Sequence, residues 1–237
     1  MIANISAPLK PTRATINLPA SKSLSNRALI IRALSGKQFE IENLSEAEDT
    51  KILLNALAST DKIIDVGAAG TAMRFLVAYF AIGNEEKILT GSERMKQRPI
   101  APLVEALKIV GADIEYLENT GFPPIKIKGK RLTKNKVEVD GSISSQYISA
   151  LLMIAPVLEN GLKINIKGKL VSKLYAEMTA ALMKHFGIIV SWKENTIEIL
   201  HQNYIPKSYK VESDWSAAAF WYSVAALSKD AEITLNG

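Results

Sequence analysis

Two stretches of this chain repeat one order of parts, and that repetition limits the fold more than any single residue does. Residues 106–115 (Ala-Leu-Lys-Ile-Val-Gly-Ala-Asp-Ile-Glu) and 182–191 (Leu-Met-Lys-His-Phe-Gly-Ile-Ile-Val-Ser) both read as a helix end, a glycine and a strand. A polar turn and a second strand follow each, at 125–128 and 196–199. The matching glycines, Gly111 and Gly187, stand 76 residues apart, so about three such units fill the 237 residues. Strands are expected at 63–66, 87–90, 136–140, 163–167 and 209–212, with a further one starting at 231. Helices are expected over 28–34, 72–80, 103–108, from 148, after 172–175, and over 217–227. The order is β-α-β-α-β-β, an α/β plan.

The helix beginnings carry the chemistry. Lys22, Ser23 and Arg27 enter one helix, Gly70, Thr71 and Arg74 a second, and Arg94, Lys96 and Arg98 a third. Ser144, Ser145 and Gln146 enter a fourth, Ser172 and Tyr175 a fifth. A helix start offers unpaired N–H groups and positive dipole potential, which suit an anion. Hydroxyls and cations add donors and charge. Each entry also has a plainer reading: Ser23, Ser25, Ser144 or Ser172 as a cap, Gly67 and Gly70 as a tight turn, Arg94 to Arg98 as a solvated face.

Composition narrows the ligand. With 29 basic against 24 acidic residues the excess is mild and dispersed, which fits a small anion better than a nucleic-acid backbone. There is no cysteine, which removes disulfide and thiolate chemistry and suits a cytoplasmic compartment. No leader pattern or bilayer-length apolar run is read. His185 and His201 lack metal-ligand spacing, so no metal and no cofactor is expected. Trp215, Trp221 and Tyr222 are assigned to packing.

Residues 21–27 (Ser-Lys-Ser-Leu-Ser-Asn-Arg), 69–74 (Ala-Gly-Thr-Ala-Met-Arg), 94–100 (Arg-Met-Lys-Gln-Arg-Pro-Ile) and 144–147 (Ser-Ser-Gln-Tyr), in that order, resemble the signatures of the 5-enolpyruvylshikimate-3-phosphate synthase family. The resemblance runs from Ala14 to about Leu227. It implies an enolpyruvyl transferase lobe of three β-α-β-α-β-β repeats with helices packed inside mixed sheets. It implies transfer of the enolpyruvyl group of phosphoenolpyruvate to the 5-hydroxyl of shikimate 3-phosphate, on the route to chorismate and aromatic amino acids, and a target for glyphosate. By resemblance, Ser23, Arg27, Ser144, Ser145, Ser172 and Tyr175 hold shikimate 3-phosphate. Lys22, Gly70, Thr71, Arg98 and Gln146 face phosphoenolpyruvate. Lys22 is the catalytic candidate, because a partly desolvated lysine among cations can move protons; Arg98 clamps charge.

The sequence departs from the family pattern at Ala20, where Gly is common, at Ala68 in place of Asn, and at Phe75 in place of Pro. The family normally exceeds 400 residues. The expectation is therefore a three-repeat lobe over 14–212, with 1–13 and 213–237 opening a second lobe that is mostly absent. That lobe would carry further catalytic groups, so the chain is expected to be inactive alone and a monomer at full length. Two alternatives stand beside this reading. One is a non-catalytic phosphate-binding or interaction module. The other is the related UDP-N-acetylglucosamine enolpyruvyl transferase, whose usual cysteine nucleophile has no counterpart here.

Overall fold

A computed structural model describes residues 11–142 and 144–237. The stretch 1–10, grouped above with 213–237, lies outside the described residues. Two contiguous units share one topology. The first runs β3 (Ile63–Asp65), α3 (Gly70–Ala81), β4 (Glu86–Thr90), a short α4 (Glu93–Lys96), α5 (Ala101–Ile109), β5 (Asp113–Tyr116) and β6 (Ile125–Lys128). The second runs β7 (Lys136–Asp140), α6 (Ser145–Ile154), a 3-10 turn (Ala155–Val157), β8 (Leu162–Lys167), α7 (Lys173–His185), β9 (Ser191–Lys193) and β10 (Thr196–Ile199). Their sheets have orders β3-β4-β6-β5 and β7-β8-β10-β9. In each, the first two strands are parallel and the others antiparallel.

The repeated glycines do the same work in both units. Gly111 and Gly187 sit at φ +113° and +85°, a region L-residues rarely enter. The next residue then bonds back into the helix, Ala112 N to Leu107 O and Ile188 N to Met183 O. A helix stop fixed this way turns the chain into β5 or β9.

The third unit is split along the chain. It consists of α1 (Lys22–Leu34), β2 (Ile41–Glu42) and α2 (Glu48–Ala58), and its second strand, β11 (Tyr209–Lys210), arrives from far downstream. Tyr209 pairs in parallel with Ile41, and the Asn43 amide donates to Val211 O at 2.8 Å. A separate parallel pair, β1 (Thr12–Asn17) with β12 (Ala231–Asn236), carries α8 (Trp215–Leu227).

Why helices end up inside follows from their composition. Nearly every residue of α3 and α6 is buried, as expected of helices apolar on all sides. The sheets cover them with alternating faces. In β6, Ile125 and Ile127 point inward while Lys126 and Lys128 point out; Leu162, Ile164 and Ile166 of β8 do the same. Outer-face pairs such as Lys167–Glu138 at 2.6 Å are exposed, where solvent screening leaves them little weight in stability.

The packing assigned to the α8 aromatics is corrected. Trp215 and Tyr222 are 55% and 58% exposed, because among the described residues Ala218 alone on α8 is buried. Among the described residues, no helix is long and apolar enough to cross a membrane, and no acidic, His or Cys group clusters as metal ligands would. His185 instead packs edge-on against Phe186 and Tyr209, and His201 Nδ1 lies 2.9 Å from Leu158 O.

Two measurements check this core. Leu76 on α3 is fully buried, so Leu76→Ala should lower unfolding free energy by about 2–5 kcal/mol in urea, whereas Ile63→Ala, at an exposed position, should change it little. Tyr204 is buried with its hydroxyl donating to Met153 O at 2.7 Å. Burial pushes its pKa well above 10. Its contribution is therefore fully present below pH 10 and is lost as pH rises beyond that, where the unfolded chain ionises first. Tyr204→Phe should flatten the fall of stability above pH 10 in alkaline titrations.

Candidate functional site

Side chains within the first two turns of four helices, α1, α3, α6 and α7, tie them together. The α1 start is capped by Ser21, whose Oγ accepts from Leu24 N. Ser25 is not a cap: its buried Oγ accepts from Ser45 N and pins α1 to the loop before α2. Lys22 stands at the head of α1, half-exposed, with Nζ 3.6 Å from Asp49 Oδ2. The crowd of cations expected around Lys22 is thus replaced by a carboxylate. Asp49 belongs to the acidic first turn of α2, where the helix dipole favours negative charge.

Gly70 opens α3. A Cβ there would lie 2.6 Å from Arg98 Cζ, so the missing side chain lets the Arg98 guanidinium lie flat across the helix start. Arg98 Nη1 also donates to Ala68 O at 3.4 Å. Gln146 Nε2, from the first turn of α6, donates to Thr71 Oγ1 at 3.2 Å. Gly70, Thr71, Arg98 and Gln146 therefore form one contiguous patch of donors.

Ser144 caps α6 by accepting from Gln146 N, and Ser145 beside it is buried. The loop after β8 is stitched to the turn before α6, with Val171 N donating to Gly141 O at 2.9 Å. A Cβ on Gly141 would meet Lys169 O at 2.8 Å, so only glycine permits that approach. Ser172 follows in the left-handed region, φ +57°, with an exposed hydroxyl and no cap bond. Tyr175 is 44% exposed on the next turn. Ser144, Ser145, Ser172 and Tyr175 thus sit on adjoining loops and helix heads.

Arg27 is only 2% exposed. Its Nε donates to Thr179 Oγ1 at 2.6 Å, Nη1 to Ser23 O at 2.9 Å and Nη2 to Ser149 Oγ at 3.0 Å. Phe75 lies under it, 5.3 Å from guanidinium carbon to ring centre. A guanidinium has five N–H groups, so one on each terminal nitrogen has no protein partner among the described residues. Burial pulls its pKa down to about 10, which leaves it charged at neutral pH.

Not every expected cation joins the site. Arg74 is buried and spends its guanidinium on Gly70 O at 2.8 Å and Pro99 O at 3.2 Å, the latter carbonyl also accepting from Tyr147 Oη at 2.7 Å. It braces the turn that leads to Arg98; burial lowers its pKa too. Lys96 pairs with Glu118 at 3.1 Å and Glu93 at 3.5 Å, and Arg94 is exposed; these two follow the plainer, solvated reading.

Four contributors were missed by sequence reading: Asp49, Ser149, Thr179 and Asp214. Asp214 Oδ2 accepts from Lys22 N at 3.3 Å while Oδ1 accepts from Ser216 N and Ala217 N, so one carboxylate caps α1 and α8 together. Only its place before α8 was a visible signal. Ser149 and Thr179 stand four residues after Ser145 and Tyr175, a one-turn offset that was open to detection.

These features define a class: an α/β lobe of repeated units whose helix beginnings carry hydroxyl and cationic side chains. A family model described as EPSP synthase (3-phosphoshikimate 1-carboxyvinyltransferase) matches residues 7–60 and 57–237. The chain belongs to that family. A 3-phosphoshikimate 1-carboxyvinyltransferase of Bacteroides fragilis is 51% identical over 234 residues, covering 98% of this chain and 57% of that protein. One from Vibrio campbellii is 40% identical over 259 residues, covering 97% and 61%. The chain thus spans about three-fifths of the length of these relatives. The EPSP synthase structure from Acinetobacter baumannii shares the fold with TM-score 0.78 at 21% identity, over 96% of this chain and 56% of that one.

The double cap makes a testable point. Asp214→Ala removes acceptors from two helix starts and should cost about 1–3 kcal/mol in thermal or urea unfolding, while Asp214→Asn, still a good cap, should cost less than half of that.

Proposed function

We propose that this chain supplies the shikimate 3-phosphate side of an enolpyruvyl transfer, in which phosphoenolpyruvate donates its enolpyruvyl group to the 5-hydroxyl of shikimate 3-phosphate, the hydroxyl proton is given up and phosphate leaves. The observation that carries the reading is the convergence of the α1, α3, α6 and α7 beginnings, knitted by Gln146–Thr71 and Arg27–Thr179–Ser149. Family membership gives that convergence its ligand.

The proposed roles divide by chemistry. Ser144, Ser145, Ser172 and Tyr175 offer hydroxyls and helix-start N–H groups to the sugar phosphate, which bonds them through acceptor oxygens. Ser23 and the two uncommitted Arg27 N–H groups extend this wall from α1. Gly70, Thr71, Arg98 and Gln146 form the adjoining patch for phosphoenolpyruvate. Arg98 stays charged and clamps the anion without moving a proton. Lys22, beside Asp49, is the proposed acid, and it holds or delivers the proton for the methylene carbon. No metal or cofactor takes part in this scheme.

The domain boundaries support the same division. In this reading the substrate lobe begins after β1 and runs to 212, and β1 goes with 213–237 through the β1–β12 ladder, so the boundary expected at residue 14 falls inside a strand.

Calorimetric titration of the 237-residue chain with shikimate 3-phosphate tests the proposal. Saturable binding is expected, with Ser145→Ala weakening it about tenfold, the loss of roughly 1.4 kcal/mol of charge-assisted bonding. A continuous phosphate-release assay with both substrates should show no turnover by this chain on its own. Absence of any heat with the sugar phosphate, or binding that inorganic phosphate matches equally, counts against the assignment.

A further inference from the structure

Behind the candidate ligand groups lies a second, buried polar layer, displaced by one helical turn. Arg27, Ser149 and Thr179 each stand four residues after a proposed ligand residue: Ser23 on α1, Ser145 on α6 and Tyr175 on α7. Ser149 and Thr179 are fully buried and Arg27 nearly so. Neither hydroxyl is assigned to substrate in the scheme above.

The layer is closed by hydrogen bonds between helices. Arg27 Nε donates to Thr179 Oγ1, and Arg27 Nη2 donates to Ser149 Oγ. The two hydroxyl oxygens lie 2.9 Å apart. Thr179 Oγ1 also donates back to Tyr175 O at 2.8 Å, and Arg27 Nη1 to Ser23 O at 2.9 Å. The single Thr179 hydroxyl proton is within reach of both the Ser149 Oγ and the Tyr175 carbonyl and serves one of them at a time. One side-chain cation thus reaches the backbone of two proposed ligand residues, one directly and one through a single hydroxyl.

We propose that Thr179 and Ser149 are positioning residues: they key α1, α6 and α7 at one height, so that Ser23, Ser145 and Tyr175 meet the same sugar phosphate, and they aim the free N–H groups of Arg27 at it. The inference rests on the proposed function for its ligand, but the keying itself does not. A packed apolar interface alone tolerates small sliding of helices, whereas sliding here would strip the buried guanidinium of the three acceptors it has. Phe75 closes the face of the guanidinium that no hydroxyl reaches.

The test compares Thr179→Val, which keeps shape and removes the acceptor, with Thr179→Ser, which keeps the hydroxyl, and with Ser149→Ala. Two readouts are taken on the 237-residue chain. The first is affinity for shikimate 3-phosphate by calorimetry. The second is hydrogen exchange of the Arg27 Nε–H by NMR, made without ligand. Thr179→Val should weaken binding at least tenfold and speed Nε–H exchange at least tenfold. Thr179→Ser should stay within about twofold of wild type in both, and Ser149→Ala should weaken binding about three- to tenfold.

Binding and exchange unchanged in both Thr179→Val and Ser149→Ala overturn the proposal. Faster exchange with unchanged binding overturns it as well, because the keying would then be structural only. Should Thr179→Val not fold, Ser149→Ala against wild type decides by the same two readouts. A wild-type chain that does not bind the sugar phosphate sinks the proposed function instead, and the exchange comparison still reads the keying.

Discussion

Burying the Arg27 guanidinium is the constraint from which the rest of the arrangement follows. A charge taken out of water stays there only if its N–H groups find acceptors. Three helices must therefore bring Ser23 O, Thr179 Oγ1 and Ser149 Oγ to fixed places around it. Those helices sit between sheets whose inner faces are aliphatic, which supply no competing acceptors. The apolar core gives the lobe its stability, and the single cation gives it register. The helix beginnings then fall together as a by-product of that register.

Around this hub the other cations divide according to what surrounds them. Arg74 bonds two backbone carbonyls, and Lys96 pairs with carboxylates near solvent. Arg98 lies across the start of α3 because Gly70 leaves it room, and Lys22 keeps a half-exposed head beside Asp49. The distinction between an ornamental and a useful cation thus comes from the backbone and partners beneath each one, with charge itself the same in all four.

Much of this was legible in the order of residues. The repeat was visible because Gly111 and Gly187 each need a positive φ at the same point of the unit, and strand alternation such as Ile125-Lys126-Ile127-Lys128 reports one wet face. The helix-start groups were visible because Ser, Gly, Lys and Arg cluster just ahead of apolar runs. What stayed hidden depends on distant segments. That Arg74 serves carbonyls depends on Pro99, and that Asp214 caps α1 depends on a crossing 192 residues away in sequence. The α8 aromatics read as core because they are apolar, yet burial needs a neighbour, and among the described residues α8 has little beyond β12. A strand was expected at 209–212, but its pairing with β2 is one that no local pattern announces.

That split unit sets an order of assembly. Every strand partner in the sheets of β3 to β6 and β7 to β10 lies within a short contiguous segment, so each can close as soon as its own residues emerge. The β2–β11 ladder must wait across 168 residues, a loop whose closure is entropically costly until the intervening units have compacted. Helix α1, which carries Lys22 and Arg27, is made early yet seated late: its acceptors Ser149 and Thr179 and its cap Asp214 all leave the ribosome long after it does. A nascent chain stalled before residue 209 would therefore hold two finished units and an α1 that still lacks its Asp214 cap and a β2 that still lacks its partner strand.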